Sequence, residues 1–231
     1  MALVAVAIAC PVLLGACSTG MNAISDSLRE IVPFGKKAAP ARSLDPAFAY
    51  LRITRGSHVG LLWRGNTEHI ADGAVEVYYS GSGEVVRLLD GRIVGALGLT
   101  TEWRRVSLAA PSWQSLTASP QGASFVRVRD VMPGYRSGVR DQVAVRPIPP
   151  PAGTALRGVE ATALTWFEER SVNLGVSHGD ERDRALPAAR YAVDLSRPQE
   201  PVIYAEQCLA ADLCFTWQRW SAAMQQAVAA R

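Results

Sequence analysis

Between residues 48 and 108 apolar side chains alternate with polar ones or gather into short runs, and turn-forming residues interrupt them every few positions. Runs 48–54 and 58–64 flank Arg55-Gly56-Ser57, which reads as a hairpin. Residues 74–79 (AVEVYY) follow Asp72-Gly73, and Ser80-Gly81-Ser82-Gly83 turns the chain into 84–89 (EVVRLL). Asp90-Gly91 is the sharpest local signal. A two-residue loop of this kind places both residues at positive φ and so matches the twist of the flanking strands, which predicts that 92–99 pairs back on 84–89.

The same punctuation continues downstream. Strands are predicted over 103–108, 125–131, 142–147, 157–172, 189–194, 202–206 and 214–217. Residues 112–122 read as a linker and 147–153 (PIPPPAG) as a loop or corner. No repeat of fixed period is visible, and one continuous sheet or two stacked ones both fit. Ile24, Leu28 and Ile31 recur at helical spacing behind Asp26, and Pro33, Gly35 and Pro40 end that pattern; residues 218–230 read as a second short helix. The predicted fold is therefore mainly β. An antiparallel meander forms an open curved sheet or partial barrel, with short helices near both termini.

Residues 1–16 (MALVAVAIACPVLLGA) carry no charge. A permanent transmembrane helix needs about 20 residues, so the run is short for one and suits the apolar region of a secretory signal peptide. Leu14-Gly15-Ala16-Cys17 has the form of a lipobox: Leu, two small residues that let a peptidase approach the backbone, then a thiol that accepts a diacylglyceryl group. Cys10 is the poorer site, with Ala7 where Leu is wanted, the branched Ile8 where a small residue is wanted, and Pro11 directly after it. No Lys or Arg precedes the apolar run, and a start codon lying further upstream is the expected reason. Ser18 follows the cysteine, where an Asp would favour the inner membrane, so the outer membrane is expected. The chain thus divides into a signal peptide (1–16), a lipidated tether with a short helix (17–43) and a β-rich periplasmic domain (44–231).

Charge excludes one class. Arg and Lys number 24 against 21 acidic residues, without the strongly basic stripe of a nucleic-acid binder. Chemistry is sparse. His58, His69 and His178 lack metal-ligand spacing. Gly81-Ser82-Gly83 lies in a hairpin turn and lacks the spacing of a nucleophile elbow. Glu168 and Glu169 are adjacent on a strand, so they point to opposite faces and read as solvated edge charges. No metal or cofactor is expected. Cys208 and Cys214 flank Ala210-Ala211-Asp212, the tip of a predicted hairpin; in an oxidising compartment they are expected to form a disulfide, the alternative being two buried thiols in a core strand.

One segment carries a resemblance. Glu76-Val77-Tyr78-Tyr79-Ser80, the glycine turn, residues 85–89, Asp90-Gly91-Arg92-Ile93-Val94 and Gly98-Leu99 resemble the YjbF/GfcB-type family of group 4 capsule polysaccharide lipoproteins. The lipobox, the length and the late aromatic-rich strand at 202–220 fit the same family, and Tyr78 departs from it where the pattern has Trp. The resemblance implies an outer-membrane lipoprotein on the periplasmic side that assists assembly or export of a surface polysaccharide without being an enzyme. Its expected partners are the outer membrane through the lipid anchor, the polysaccharide and proteins of the export machinery. Trp103, Trp113 and Trp220 are candidate exposed contacts, since flat rings cover large areas at little entropy cost. Two rival functions stand beside this one. A half-barrel carrier of lipid or lipoprotein acyl chains needs a deep, wholly apolar cavity, and a polysaccharide-modifying enzyme needs two convergent carboxylates.

Overall fold

A computed structural model describes residues 44–174 and 185–230; the segments read as signal peptide and tether, with Cys17 and the expected first helix, and His178 lie outside the described residues. Twelve strands follow one another: β1 (Tyr50–Arg55), β2 (His58–Ile70), β3 (Gly73–Tyr79), β4 (Val85–Leu89), β5 (Arg92–Leu97) and β6 (Glu102–Leu108), then β7 (Ala123–Met132), β8 (Arg136–Ile148), β9 (Thr165–Asn173), β10 (Ala189–Val193), β11 (Val202–Ala210) and β12 (Leu213–Trp220). Each pairs antiparallel with its neighbours in sequence, and β1 pairs with β12 from Tyr50↔Trp220 to Thr54↔Thr216. The sheet is therefore a closed barrel, which corrects the expected open sheet or partial barrel. Closure removes the two edges whose unpaired amides and carbonyls would otherwise template association. One barrel also replaces the alternative of two stacked sheets.

Asp90 and Gly91 adopt φ of 50° and 77°, the two-residue loop that the sequence predicts. Gly91 has a second reason to be glycine. A Cβ there would lie 2.4 Å from Cβ of Val202 on β11, so this corner reaches across the lumen and touches the opposite wall. The ladder between β5 and β6 is reduced to the single pair Ala96↔Trp103. Gln207 of β11 serves the backbone at this corner instead: its Oε1 accepts from the Ile93 amide and its Nε2 donates to the Gly91 carbonyl, both at 3.2 Å. Pairing lost at the seam is thus replaced by a side chain from across the barrel.

Segment 112–122 is not a plain linker. It holds the short helix α1 (Trp113–Thr117), whose N-cap Ser112 accepts from the Ser115 amide at 3.2 Å. At little more than one turn it shows no periodicity for a sequence reading to find. Its Trp113 fills the lumen. The indole N–H donates to the Asp90 carbonyl at 3.0 Å, the ring lies 5.2 Å from Phe167 and 4.9 Å from Tyr191, and the Arg92 guanidinium stacks 3.7 Å above it.

β9 begins at Thr165, later than the expected 157, because the proline-rich segment crosses the outer wall first. There the Ala155 amide donates to the Tyr204 hydroxyl at 3.1 Å, while Leu156, Ala161 and Leu164 cover Trp166, Ala192 and Tyr204. The C-terminal helix α2 (Ala222–Ala229) starts later than the expected 218, since β12 runs on to Trp220 and Ser221 caps the helix through the Met224 amide at 3.2 Å.

Candidate functional site

Strand alternation decides what the outer wall displays. Leu51 on β1 and Leu62 on β2 are paired partners buried inside the barrel, so their neighbours Tyr50 and Trp63 point out. The register then sets Trp220, Tyr50, Trp63 and Tyr79 directly opposite one another across β12, β1, β2 and β3, through the pairs Tyr50↔Trp220, Tyr50↔Trp63 and Trp63↔Tyr79. Phe48 adds an edge-on contact with Tyr50 at 6.4 Å between centroids. Exposure grows away from Trp220, which is 7% exposed, to Trp63 at 38% and Phe48 at 49%. At the far end a bulge at Gly65 lets the Tyr79 ring lie against the backbone: a Cβ on Gly65 would stand 2.5 Å from Tyr79 Cε2. The Tyr79 hydroxyl then donates to Asn66 at 3.2 Å, fixing the ring flat on the wall.

The buried end of the row opens into a cleft of about 260 Å³, bounded by Tyr50, Tyr78, Arg219, Asp194, Arg197 and Glu200. An ion network lies at its base. Arg219 donates to both oxygens of Glu76 at 2.6 and 2.7 Å, to the Tyr78 hydroxyl at 3.0 Å and to the Val202 carbonyl at 2.8 Å. Arg64 bridges Glu76 and Glu200. Burial alone would raise the Glu76 carboxyl, but Arg219, Tyr78 and Arg64 hold it below its ordinary value. Asp194 is also held below its ordinary value, first by the Ser196 hydroxyl at 2.6 Å and in part by the Ser196 amide.

Two further cations lie on the outer wall beside the row. Arg52 sits 5.6 Å from the centroid of Trp220 and donates to the Thr54 hydroxyl at 2.9 Å. Gln218, the cross-strand partner of Arg52, grips the Arg157 backbone by accepting from its amide at 2.9 Å and donating to its carbonyl at 2.7 Å.

The tryptophans expected as exposed contacts lie elsewhere. Trp103 and Trp113 are each 2% exposed and serve the interior, Trp103 by donating to the Leu209 carbonyl across the lumen at 3.0 Å. Trp220 is the covered end of the row. None of the three offers an open ring face, because strand parity or lumen packing turns each inward or places it under a neighbour. Of the residues that do offer one, Tyr50 carried a readable signal, sharing its side of β1 with Arg52 and Thr54; Trp63, beside Val59 and Leu61, and Tyr79, beside Val75 and Val77, did not.

Cys208 and Cys214 are cross-strand partners joined by a disulfide at the tip of the β11–β12 hairpin. Leu14, Gly15, Ala16 and Cys17 lie outside the described residues. Glu168 and Glu169 point to opposite faces as expected, but neither is a solvated edge charge: Glu168 lies on the outer wall buried under Arg146, Arg170 and Arg190. Glu169 is buried in the lumen, accepting from Arg92 at 2.7 Å and Tyr191 at 3.1 Å, which corrects its reading as a solvated charge. Ser82 donates to Glu84 at 2.6 Å and locks the β3–β4 turn. His58 and His69 are exposed, and no group of three or more His, Cys, Asp or Glu converges among the described residues.

Closing the two cysteines into so short a loop is worth roughly 2 kcal/mol on the chain-entropy account. Thiol titration of unfolded, unreduced protein is expected to find both blocked; two reactive thiols would contradict the bridge.

The architecture is thus an antiparallel up-and-down barrel with a filled lumen and an aromatic row on its outer wall. No protein-family model and no curated protein matches the chain. Among solved structures it is similar to the crystal structure of the hypothetical lipoprotein YmcC from Escherichia coli K12, with a TM-score of 0.51 and 13% identity over 74% of this chain and 82% of that one. At this identity the likeness is one of fold.

Proposed function

We propose that this chain is a lipoprotein, anchored through Cys17 to the periplasmic side of the outer membrane, that assists assembly and export of a capsule or exopolysaccharide by holding the sugar chain without cutting it. The aromatic row carries this reading: accessible rings lie side by side on a rigid wall, at the mouth of a cleft rich in hydrogen-bonding groups. Flat rings stack on the C–H faces of sugars, while carboxylates and guanidiniums meet their hydroxyls. The barrel shared with a protein described as a lipoprotein and the uncharged segment ending in Leu14-Gly15-Ala16-Cys17 support the anchor.

The lumen speaks against a carrier of acyl chains. Trp113, Phe167 and Tyr191 occupy it and the Arg92–Glu169 pair spans it, where such a carrier needs an empty apolar cavity. The carboxylates lining the cleft are already engaged, Asp194 by Ser196 and Glu200 by Arg64, Arg197 and Arg219, which favours binding over hydrolysis.

Deleting the gene is expected to lower surface or secreted polysaccharide while cytoplasmic sugar precursors persist. Wild-type protein restores export and takes up a fatty-acid label; Cys17→Ser takes up none. Unchanged polysaccharide in the deletion strain would remove the export role, and equal labelling of Cys17→Ser would remove the anchor.

A further inference from the structure

Arg52 and Arg157 differ from the ion-paired arginines of the barrel. Arg64, Arg92, Arg129 and Arg219 each have a carboxylate partner within 3.5 Å, and so do several arginines at the surface. Among the described residues neither Arg52 nor Arg157 is ion-paired with a carboxylate, and Gln218, the cross-strand partner of Arg52, holds the Arg157 backbone next to β12. Burial lowers the pKa of Arg52, and the charge of Arg157 lowers it further. Two like charges on one stretch of wall, one of them half-buried, are unfavourable in isolation and become favourable when an anion meets both.

Their position identifies the anion's carrier. Arg52 lies two residues along β1 from Tyr50 on the same face, its guanidinium over the Trp220 ring, and Gln218 holds the Arg157 backbone on the adjoining strand. The cationic pair therefore continues the aromatic row. From this arrangement we infer that the polysaccharide bound on the row is acidic, its sugar rings stacking along Tyr50, Trp63 and Tyr79 while Arg52 and Arg157 receive its carboxylate groups. The inference rests on the polysaccharide reading above and narrows it to a chemical class. A planar guanidinium matches a carboxylate in two-point geometry, which a neutral hydroxyl does not offer. A lipid surface fits less well. Tyr79 is fixed flat against Gly65 and tied to Asn66, and the charged Arg52 beside the row would have to leave water to enter a hydrocarbon layer.

The test uses full-length lipidated protein reconstituted in vesicles. It is titrated with polygalacturonate, alginate and hyaluronate, and with the same polymers after reduction of their carboxyl groups to alcohols. At least one acidic polymer is expected to bind, with affinity falling ten-fold or more on carboxyl reduction and by a similar factor in the Arg52→Gln/Arg157→Gln variant. That variant should melt with the wild type, since both side chains are at least partly exposed. Trp63→Ala is expected to weaken acidic and reduced polymers alike. Equal binding of reduced polymers, or acidic binding untouched by the double variant, overturns the acidic assignment and leaves the polysaccharide reading standing. If no polymer binds and brominated lipids quench a fluorescence that Trp63→Phe removes, the row belongs to the membrane and both readings of this surface fall.

Discussion

Replacing Arg219 by methionine is expected to destabilise the barrel by about 3–5 kcal/mol, the usual cost of removing one partner from a buried ion pair. Methionine fills much of the same volume, so packing changes little. What is lost is the set of donors that meets Glu76, Tyr78 and the Val202 carbonyl. Glu76 would remain buried with only Tyr78 and the longer contact to Arg64 at 3.3 Å. Chemical denaturation of the single variants and of Glu76→Leu/Arg219→Met measures this directly. The double variant should cost less than the two singles together, with a coupling of about 1–3 kcal/mol. Additive losses would mean that the pair contributes nothing as a pair. The network also sets a pH dependence. Because the folded-state pKa of Glu76 is lowered, its contribution is full above the ordinary carboxylate pKa of about 4.3 and is lost as pH falls through the depressed folded value. Wild-type stability should therefore drop below about pH 4, and Glu76→Gln should flatten that part of the profile.

Local pairing was legible in the sequence and long-range pairing was not. Asp90-Gly91 specified a two-residue loop, and β3, β4 and β5 follow from it with the boundaries the apolar runs suggest. Closure was invisible because β1 and β12 meet from opposite ends of the domain and neither carries a mark naming its partner. The same reason governs the buried charges. Alternation alone sends Glu168 and Glu169 to opposite faces, but the burial of Glu169 depends on Arg92, which lies 77 positions away. An unpartnered carboxylate belongs in water, so the sequence reading placed it there. The tryptophans failed for a related reason: a large ring on a strand serves equally as core or contact until the parity of its strand relative to the lumen is known. Trp63 sits beside buried Leu62, and that adjacency is what turns it outward. The α1 helix was beyond reach, since its role rests on one side chain inserted between strands and on no repeated pattern.

That side chain supports the remaining large effect. Trp113→Ala is expected to cost about 3–5 kcal/mol, as large-to-small changes of buried aromatics do, through lost burial and the cavity left behind. The site has little freedom to collapse, because its walls are strands of a closed barrel: Phe167 and Tyr191 lie beside the ring, and Arg92, paired with Glu169, lies over its face. Arg92 would also lose the ring 3.7 Å beneath it, and the Asp90 carbonyl its indole donor. Trp113→Phe restores most of the apolar volume but not the donor, so it should fall between the two. A rigid-walled cavity of indole shape, lined by Phe167, Tyr191 and Arg92, can take up a small aromatic molecule, and binding to the folded state alone raises stability with ligand concentration. Added indole should therefore raise the melting temperature of Trp113→Ala and leave the wild type unchanged, since Trp113 itself occupies that space in the native lumen. A loss below about 1 kcal/mol in Trp113→Ala, or an equal response of wild type and variant to indole, would mean that α1 lies on the barrel without holding its interior together.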